Sequence, residues 1–341
     1  MKTGIVYSDK YLKHFLGRNH PEKPERLEQI IKDLRGSKSL LKKIQIVEPS
    51  PADQEEIELA HDKSYVEKIK KLSKSGQMLD LDTPINSDTF DLALLAAGGT
   101  ASMGRSIVEG EKKNGFALIR PPGHHATRTS GGGFCYFNNI AITTRKLLKD
   151  YGLSKILIFD YDAHHGNGTQ DIFYSEEKVL YLSLHQDGRT LYPGTGFPDE
   201  LGEGDGEGYT VNVPFPPSSN DENYIAALRE FLIPLSKQFN PDFIMVSLGF
   251  DSHREDPLTN LEISTDGFEV LAESVIAQAK RLCDGKIGFV LEGGYAVEAS
   301  ADSALRTIGA LTTQSPPDLP EGKPLPVFEK VKDLLSPYWE L

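Results

Sequence analysis

Cysteine is nearly absent: Cys135 and Cys283 are the only two in 341 residues. No disulfide framework can be built from them, and the chain reads as one suited to a reducing compartment. Long apolar runs are missing as well. No stretch approaches the roughly 18 apolar residues that a membrane span needs, and the segment Met1–Tyr7 offers too short an apolar run for a signal peptide. A cytoplasmic location without membrane attachment is the expectation. Basic charge is in deficit, with 37 Lys and Arg against 50 Asp and Glu and a formal net charge of −13. That balance argues against a general nucleic-acid binder, which needs a cationic face to displace counterions. Solubility is the simplest reading of the acidic surplus.

What the chain does have is alternation. Short apolar runs at Thr3–Tyr7, Phe116–Ile119, Lys155–Phe159, Val179–Ser183, Phe243–Ser247 and Ile287–Leu291 read as strands covered on both faces. Helical patterns lie between them at Asp91–Glu109, Asn138–Asp150, Asn223–Gln238, Gly267–Leu282 and Ala296–Leu311. This order predicts an α/β fold, a three-layer α/β/α domain with a mostly parallel central sheet. Residues 1–314 form a single catalytic domain on this reading. The Pro-rich stretch Ser315–Pro326 has no core-forming pattern. The tail after it carries Val331, Leu334, Leu335 and Trp339 at helical spacing, so residues 315–341 are expected to dock on the domain.

In open parallel sheets, ligands bind beyond the carboxyl ends of the strands, and the unusual residues sit there. Ile156–Phe159 runs into Asp160-Tyr161-Asp162-Ala163-His164-His165-Gly166, and Ile244–Phe250 runs into Asp251. Phe116–Ile119 runs into Arg120-Pro121-Pro122-Gly123-His124-His125, and Ile287–Leu291 into Glu292-Gly293-Gly294-Tyr295. Asp162 and His164 are two apart and share a face of an extended segment. Asp251 can complete a set of three protein ligands with an open position, the pattern of a catalytic metal site. Mixed imidazole and carboxylate ligation suits zinc and also iron, cobalt or manganese. Singly, each of these residues is more often a helix cap or a satisfied polar group. Their convergence at four strand ends carries the metal reading.

These motifs, together with His20-Pro21-Glu22-Lys23-Pro24-Glu25-Arg26 and Gly132-Gly133-Phe134-Cys135-Tyr136-Phe137-Asn138-Asn139, resemble the histone deacetylase and acetylpolyamine amidohydrolase family. The likeness is to its class II and prokaryotic members and to the arginase/deacetylase fold, and it runs from His20 to Tyr295. It implies a zinc-dependent amidohydrolase acting on linear amides, with one Zn2+ per chain held by Asp162, His164 and Asp251. A metal-activated water attacks the acyl carbonyl in such an enzyme. His125 is then general base and acid and His124 an electrostatic aid, with Asp160 behind His124 and Asn167 behind His125. Many relatives carry Asp where Asn167 stands, and a neutral amide makes His125 less basic. Tyr295 is the oxyanion donor. The resemblance also implies a substrate tunnel walled by Gly133, Phe134 and Tyr192, Leu258 at its mouth and Asp82 as a rim carboxylate. Relatives that select polyamines carry Glu at the position of Leu258, so Leu tilts the expectation from acetylpolyamines toward an acyl-lysine peptide or protein. Potassium is implied too. An inner site uses Asp160, Asp162 and Ser183 with backbone oxygens of His164 and Leu184, and an outer one uses the carbonyls of Phe173, Glu176, Val179 and Tyr209.

Three rival functions stay in view. An acetylpolyamine or other small acyl-amide hydrolase would use the same machinery. A binuclear manganese ureohydrolase would need further carboxylates where the chain has Gly166 and Gly249. An acyl-lysine-binding protein without activity would tolerate loss of the histidine pair or of Tyr295, all of which are present. Cys135 beside a histidine pair suggests a thiol nucleophile, but no thiolate-stabilising helix start accompanies it. The resemblance puts it near the acyl-binding foot of the tunnel.

Overall fold

The computed structural model describes residues 1–341 except 77, 316 and 318. Eight strands form one sheet: β1 (Thr3–Val6), β2 (Ile44–Val47), β3 (Gly115–Ala117), β4 (Ile156–Asp160), β5 (Val179–Gln186), β6 (Thr210–Phe215), β7 (Phe243–Leu248) and β8 (Ile287–Leu291). Their spatial order is β2-β1-β3-β8-β7-β4-β5-β6, and every neighbouring pair is parallel. Each residue of β4, β7 and β8 is buried, the consequence of near-continuous apolar sequence between two helical layers. Helices Thr89–Val108 and Asn139–Asp150 pack on each other, and Val297–Thr313 packs against both Glu25–Gly36 and Thr265–Leu282. The three-layer arrangement is the expected one.

All six expected strands form. The two unforeseen ones, β2 and β6, are the edges of the sheet. β2 is short and half-exposed. β6 carries Asn212 and Pro214, and a proline without an N–H is tolerated at an edge because no further strand needs that donor. The helix expected at Asn223–Gln238 is not continuous. It runs as Asp221–Ala227, a wider π-type turn at Leu228–Leu232, and Ile233–Phe239. Pro234 lacks the amide that a regular ladder would use, and the wide turn absorbs the fault. Helix Glu25–Gly36, also unforeseen, buries Leu27, Ile30, Ile31 and Leu34 along one stripe together with Arg26.

In the tail, helix Pro326–Leu335 buries Phe328, Val331 and Leu335, while Leu334 is only partly covered. Phe328 meets Phe215 and Phe231 at ring-centroid distances of 5.8 and 5.2 Å. Trp339 donates its indole N–H to the Gly208 carbonyl at 2.7 Å. Of the Pro-rich stretch, Pro316 and Asp318 lie outside the described residues. These contacts support our proposal that 315–341 is an appendage of one domain.

His61 gives the fold a pH dependence that can be isolated. Its Nδ1 faces the Thr127 carbonyl at 2.8 Å and its Nε2 accepts from the Asn138 amide at 2.8 Å, which defines a neutral tautomer. Burial holds its pKa down at about 4, against the opposing pull of its backbone partners. Between pH 6.5 and 4 the unfolded chain therefore binds the extra proton, so this contribution is complete above pH 6.5 and is lost as pH falls toward 4. At 1.36 kcal/mol per pH unit, it amounts to about 3 kcal/mol. Gln in place of His61 does not titrate. The stability gap between parent and His61→Gln should therefore shrink by about that amount between pH 7 and 4, read by urea unfolding. A gap independent of pH would contradict the assignment.

Candidate active site

β3, β8, β7 and β4 are adjacent in the sheet centre, so the four polar strand ends empty into one crevice. Beyond β4, Asp162 accepts from the amides of His164 at 2.8 Å and Gly293 at 2.7 Å. Beyond β7, Asp251 accepts from the Ala163 amide at 2.9 Å, and its own carbonyl is bound by the Thr259 hydroxyl. Both carboxylates are thereby turned inward. His164 Nδ1 lies 3.1 Å from Asp162 and 2.9 Å from Asp251. Among the described residues this is the one group of three His, Cys, Asp or Glu whose ligand atoms all fall within 4.8 Å of one another.

The donor set fits a divalent ion. Two buried carboxylates this close need a cation between them. A divalent ion would meet that need, with a neutral His164 ring offering Nδ1 between the two aspartates. No space remains for further protein ligands at two neighbouring positions. A Cβ on Gly249 would sit 2.0 Å from an Asp162 oxygen, and one on Gly166 would sit 2.3 Å from an Asp160 oxygen. The carboxylates a binuclear ureohydrolase needs at those two positions would collide with the site.

Beyond β3 stands the histidine pair, ring centroids 4.1 Å apart. His124 Nδ1 is 3.2 Å from Asp160 and its Nε2 is 3.8 Å from Asp162. Burial pulls its pKa down, but the two aspartates outweigh that and raise it to about 10. His125 Nδ1 is 2.8 Å from the Asn167 oxygen. Asn167 accepts there, so Nδ1 carries the proton and Nε2 is free to take one. Burial, then the neighbouring His124 and His164, hold the His125 pKa well below its ordinary value. The bond to Asn167 acts in the opposite sense. The low basicity expected of His125 therefore has burial as its chief cause.

Tyr295 is 8% exposed. Its backbone amide is held by Asp256 at 2.7 Å, its ring packs edge-on against Phe134 at 5.9 Å, and the Arg26 guanidinium lies 4.9 Å from the ring centre. Burial raises its phenol well above the ordinary pKa, so it stays a donor at neutral pH. His125, His164 and Tyr295 open onto one cavity of about 640 Å³, and the expected tunnel residues Asp82, Gly133, Phe134, Tyr192 and Leu258 all line it. Gly133 has φ of +53°, and a Cβ there would be 2.5 Å from the His125 ring, so only glycine fits this wall. Cys135 is fully buried, and burial drives its thiol upward. It is no nucleophile.

Of the residues assigned to potassium, Asp160 and Ser183 are register partners across β4 and β5. The Ser183 hydroxyl is 2.7 Å from His185 Nδ1, and Leu184 follows within β5. Three of the four outer carbonyls accept backbone bonds: Phe173 from Glu176, Glu176 from Val179, and Tyr209 from Tyr181.

Sequence reasoning missed the residues that hold the machinery in place. Glu292, 1% exposed, accepts from the amides of Gly123 at 2.7 Å and His124 at 3.2 Å and from the Ser247 hydroxyl at 3.2 Å. It ties the end of β8 to the turn bearing the histidine pair. Asp256 performs the like service for Tyr295. Glu22, Arg26 and Arg120 form a buried ion cluster behind both. Glu22, Arg26, Arg120 and Glu292 stand inside the quoted motifs, but residue type alone does not say that a carboxylate will bind backbone amides.

Residues 20–311 match the family described as the histone deacetylase domain. The chain belongs to the histone deacetylase family. It is 45% identical over 301 residues to a probable deacetylase of Archaeoglobus fulgidus, covering 88% of this chain and 83% of that relative. It is 38% identical to the chloroplastic histone deacetylase 14 of Arabidopsis thaliana, covering 87% of this chain and 74% of the relative. A crystal structure of the HDA15 HD domain superposes with a TM-score of 0.91 at 34% identity, covering 99% of this chain and 95% of that one. As a member of the histone deacetylase family, the chain is a hydrolase of acetyl amides. No helix among its described residues is long and apolar enough to cross a membrane.

Proposed function

We propose that the chain removes acetyl-type groups from lysine side chains, with one zinc ion held by Asp162, His164 and Asp251. The observation that carries this reading is the convergence of His164 on two aspartates at the floor of a cavity that also exposes His125 and Tyr295. Zinc, when bound, supplies Lewis acidity to the acyl carbonyl and to the attacking water. His125 Nε2 takes the proton of that water and passes it to the leaving amine, while Asn167 fixes the ring through Nδ1. His124, held by Asp160 through Nδ1, sits beside the reacting centre as an electrostatic aid to His125. The Tyr295 hydroxyl donates to the carbonyl oxygen as charge builds there. Potassium, at the inner site around Asp160, Asp162 and Ser183, would brace the β4 and β5 ends.

The aromatic walls Phe134 and Tyr192 suit a slim aliphatic chain. Leu258, half-exposed at the mouth, offers no charge to a polyamine nitrogen, which favours acyl-lysine. The deciding experiment compares kcat/KM on acetyl-lysine peptides, acetylated polyamines and simple acetamides, with metal measured in the same preparation. The expected result is one divalent ion per chain and the highest kcat/KM on the peptides. Two tightly bound manganese ions with urea release from arginine would overturn it. Zinc-loaded protein without turnover on any of these amides would leave a binding role instead.

A further inference from the structure

Exposed apolar side chains are unevenly distributed on this molecule. Among the described residues, Phe15, Met78, Leu81, Tyr192 and Leu258 are exposed, and beyond them only Met1, Leu41, Tyr338 and Leu341 are large, apolar and exposed. Three of those last four lie at the chain ends. Of the first five, three stand at the mouth of the active-site cavity, and Phe15 and Met78 sit on the two chain segments that reach it. Leu81, Tyr192 and Leu258 line it directly. Leu81 is 97% exposed in a loop closed by the bridge between Met78 and Pro84, so Met78 stands at the foot of the same loop. Phe15, 55% exposed, precedes Leu16 and Gly17, which also line the cavity. His20 ties the two rim segments together, its Nε2 lying 3.0 Å from the Asp82 carbonyl.

Single exposed leucines need no explanation, but a cluster of this kind marks an interaction site. Its charge is as telling. Among the residues lining the cavity there is no Lys or Arg and one carboxylate, Asp82, which accepts from the Thr83 hydroxyl at 3.1 Å; Arg18 and Asp80 flank the rim in sequence.

We propose that this mouth is a docking collar for apolar side chains flanking the acylated lysine. The substrate class is then an acyl-lysine within an apolar stretch of polypeptide, as against a free acylated polyamine or a lysine-rich tail. The inference rests on the acyl-lysine reading above. Continuity identifies the occupant: the collar is the outer end of the cavity whose floor holds His125, His164 and Tyr295, so the residues beside an inserted acyl-lysine fall on it. Relative strengths favour apolar flanks. Exposed ion pairs at such a rim change affinity by a factor of about five or less, whereas burying one Leu- or Phe-sized side chain supplies roughly tenfold or more.

The test uses three acetyl-lysine peptides differing only in flanks (Leu and Phe, Gly, or Lys) plus a blocked acetyl-lysine amide without flanks. Each is assayed with the parent and with a Phe15→Ser/Leu81→Ser double variant, whose fold is checked by circular dichroism. The apolar-flanked peptide should exceed the Gly-flanked one by roughly tenfold in kcat/KM through a lower KM. The double variant should lose that preference and still turn over the blocked amide. Equal constants for the three peptides, or a preference for Lys flanks, would overturn the collar while deacetylation stands. A lack of turnover on all four substrates would instead overturn the acyl-lysine reading, and the collar with it. A parent dimer that the double variant converts to monomer would reassign the patch to self-association.

Discussion

Tyr295→Phe should lower kcat about 10²- to 10³-fold while metal content and KM for an acetyl-lysine peptide stay near the parent values. The substitution removes one hydroxyl and nothing else. The ring keeps its edge contact with Phe134 and its place under Arg26, and the backbone amide keeps its bond to Asp256. None of the three ligand residues touches the hydroxyl in the bonds that define the site, so metal affinity has no reason to change. What disappears is a donor preorganised in a desolvated pocket, where charge on the carbonyl oxygen would otherwise go unanswered. Such donors act on the transition state more than on the bound substrate, which is why the loss falls on kcat. Because burial keeps the phenol protonated well above neutral pH, the deficit should be flat from pH 6 to 9. Steady-state kinetics with metal analysis reads all of this. Parental turnover in the variant would remove Tyr295 from the mechanism.

The site's components were legible because each lies where an apolar run breaks into polar residues. Leu157, Ile158 and Phe159 followed by Asp160 and Asp162 is a strand that ends at a chemical centre, and the same grammar holds for Val246 to Asp251 and Val290 to Tyr295. Parallel pairing puts four such ends on one edge of the sheet, and the strand order β3-β8-β7-β4 sets them side by side. The edges were less legible: β2 and β6 are short or interrupted, and an edge strand makes fewer demands on its residues. Least legible was what holds the site rigid. Glu22 and Arg120 are 98 positions apart, and Arg26 and Gly294 are 268 apart. No local period encodes such pairings. The electrostatic consequence of burial for His125 was hidden for the same reason, since it depends on how many layers close over the ring.

Those long-range pairings make the loss of Glu22 costly to the fold. Its carboxylate binds Arg120 Nε at 2.5 Å and Nη2 at 2.6 Å, and Arg26 Nη1 at 3.1 Å, with every partner side chain 2% exposed or less. Burial raises the Glu22 pKa, but Arg120 and the neighbouring cations outweigh it and hold the group at about 2. Glu22→Gln keeps the shape and removes the charge. It also turns an N–H2 toward guanidinium donors and leaves two buried cations without their counter-charge. Breaking a buried pair in this way costs roughly 3–5 kcal/mol, and the melting temperature should fall by about 4–7 °C. By contrast, the exposed pair Arg35–Asp9, 3.8 Å apart, should contribute under about 1 kcal/mol when either partner is replaced. The Glu22 deficit is full at pH 7 and narrows as pH falls from about 4.5 toward 2, where the parent carboxylate also becomes neutral. A second effect should appear in catalysis. Arg26, once loosened, no longer secures the carbonyls of Gly294 at 2.5 Å and Glu292 at 2.6 Å, which flank the approach to Tyr295. Well below the melting temperature, kcat should therefore fall more than KM rises. A variant that melts with the parent would show that this cluster is not what braces the site.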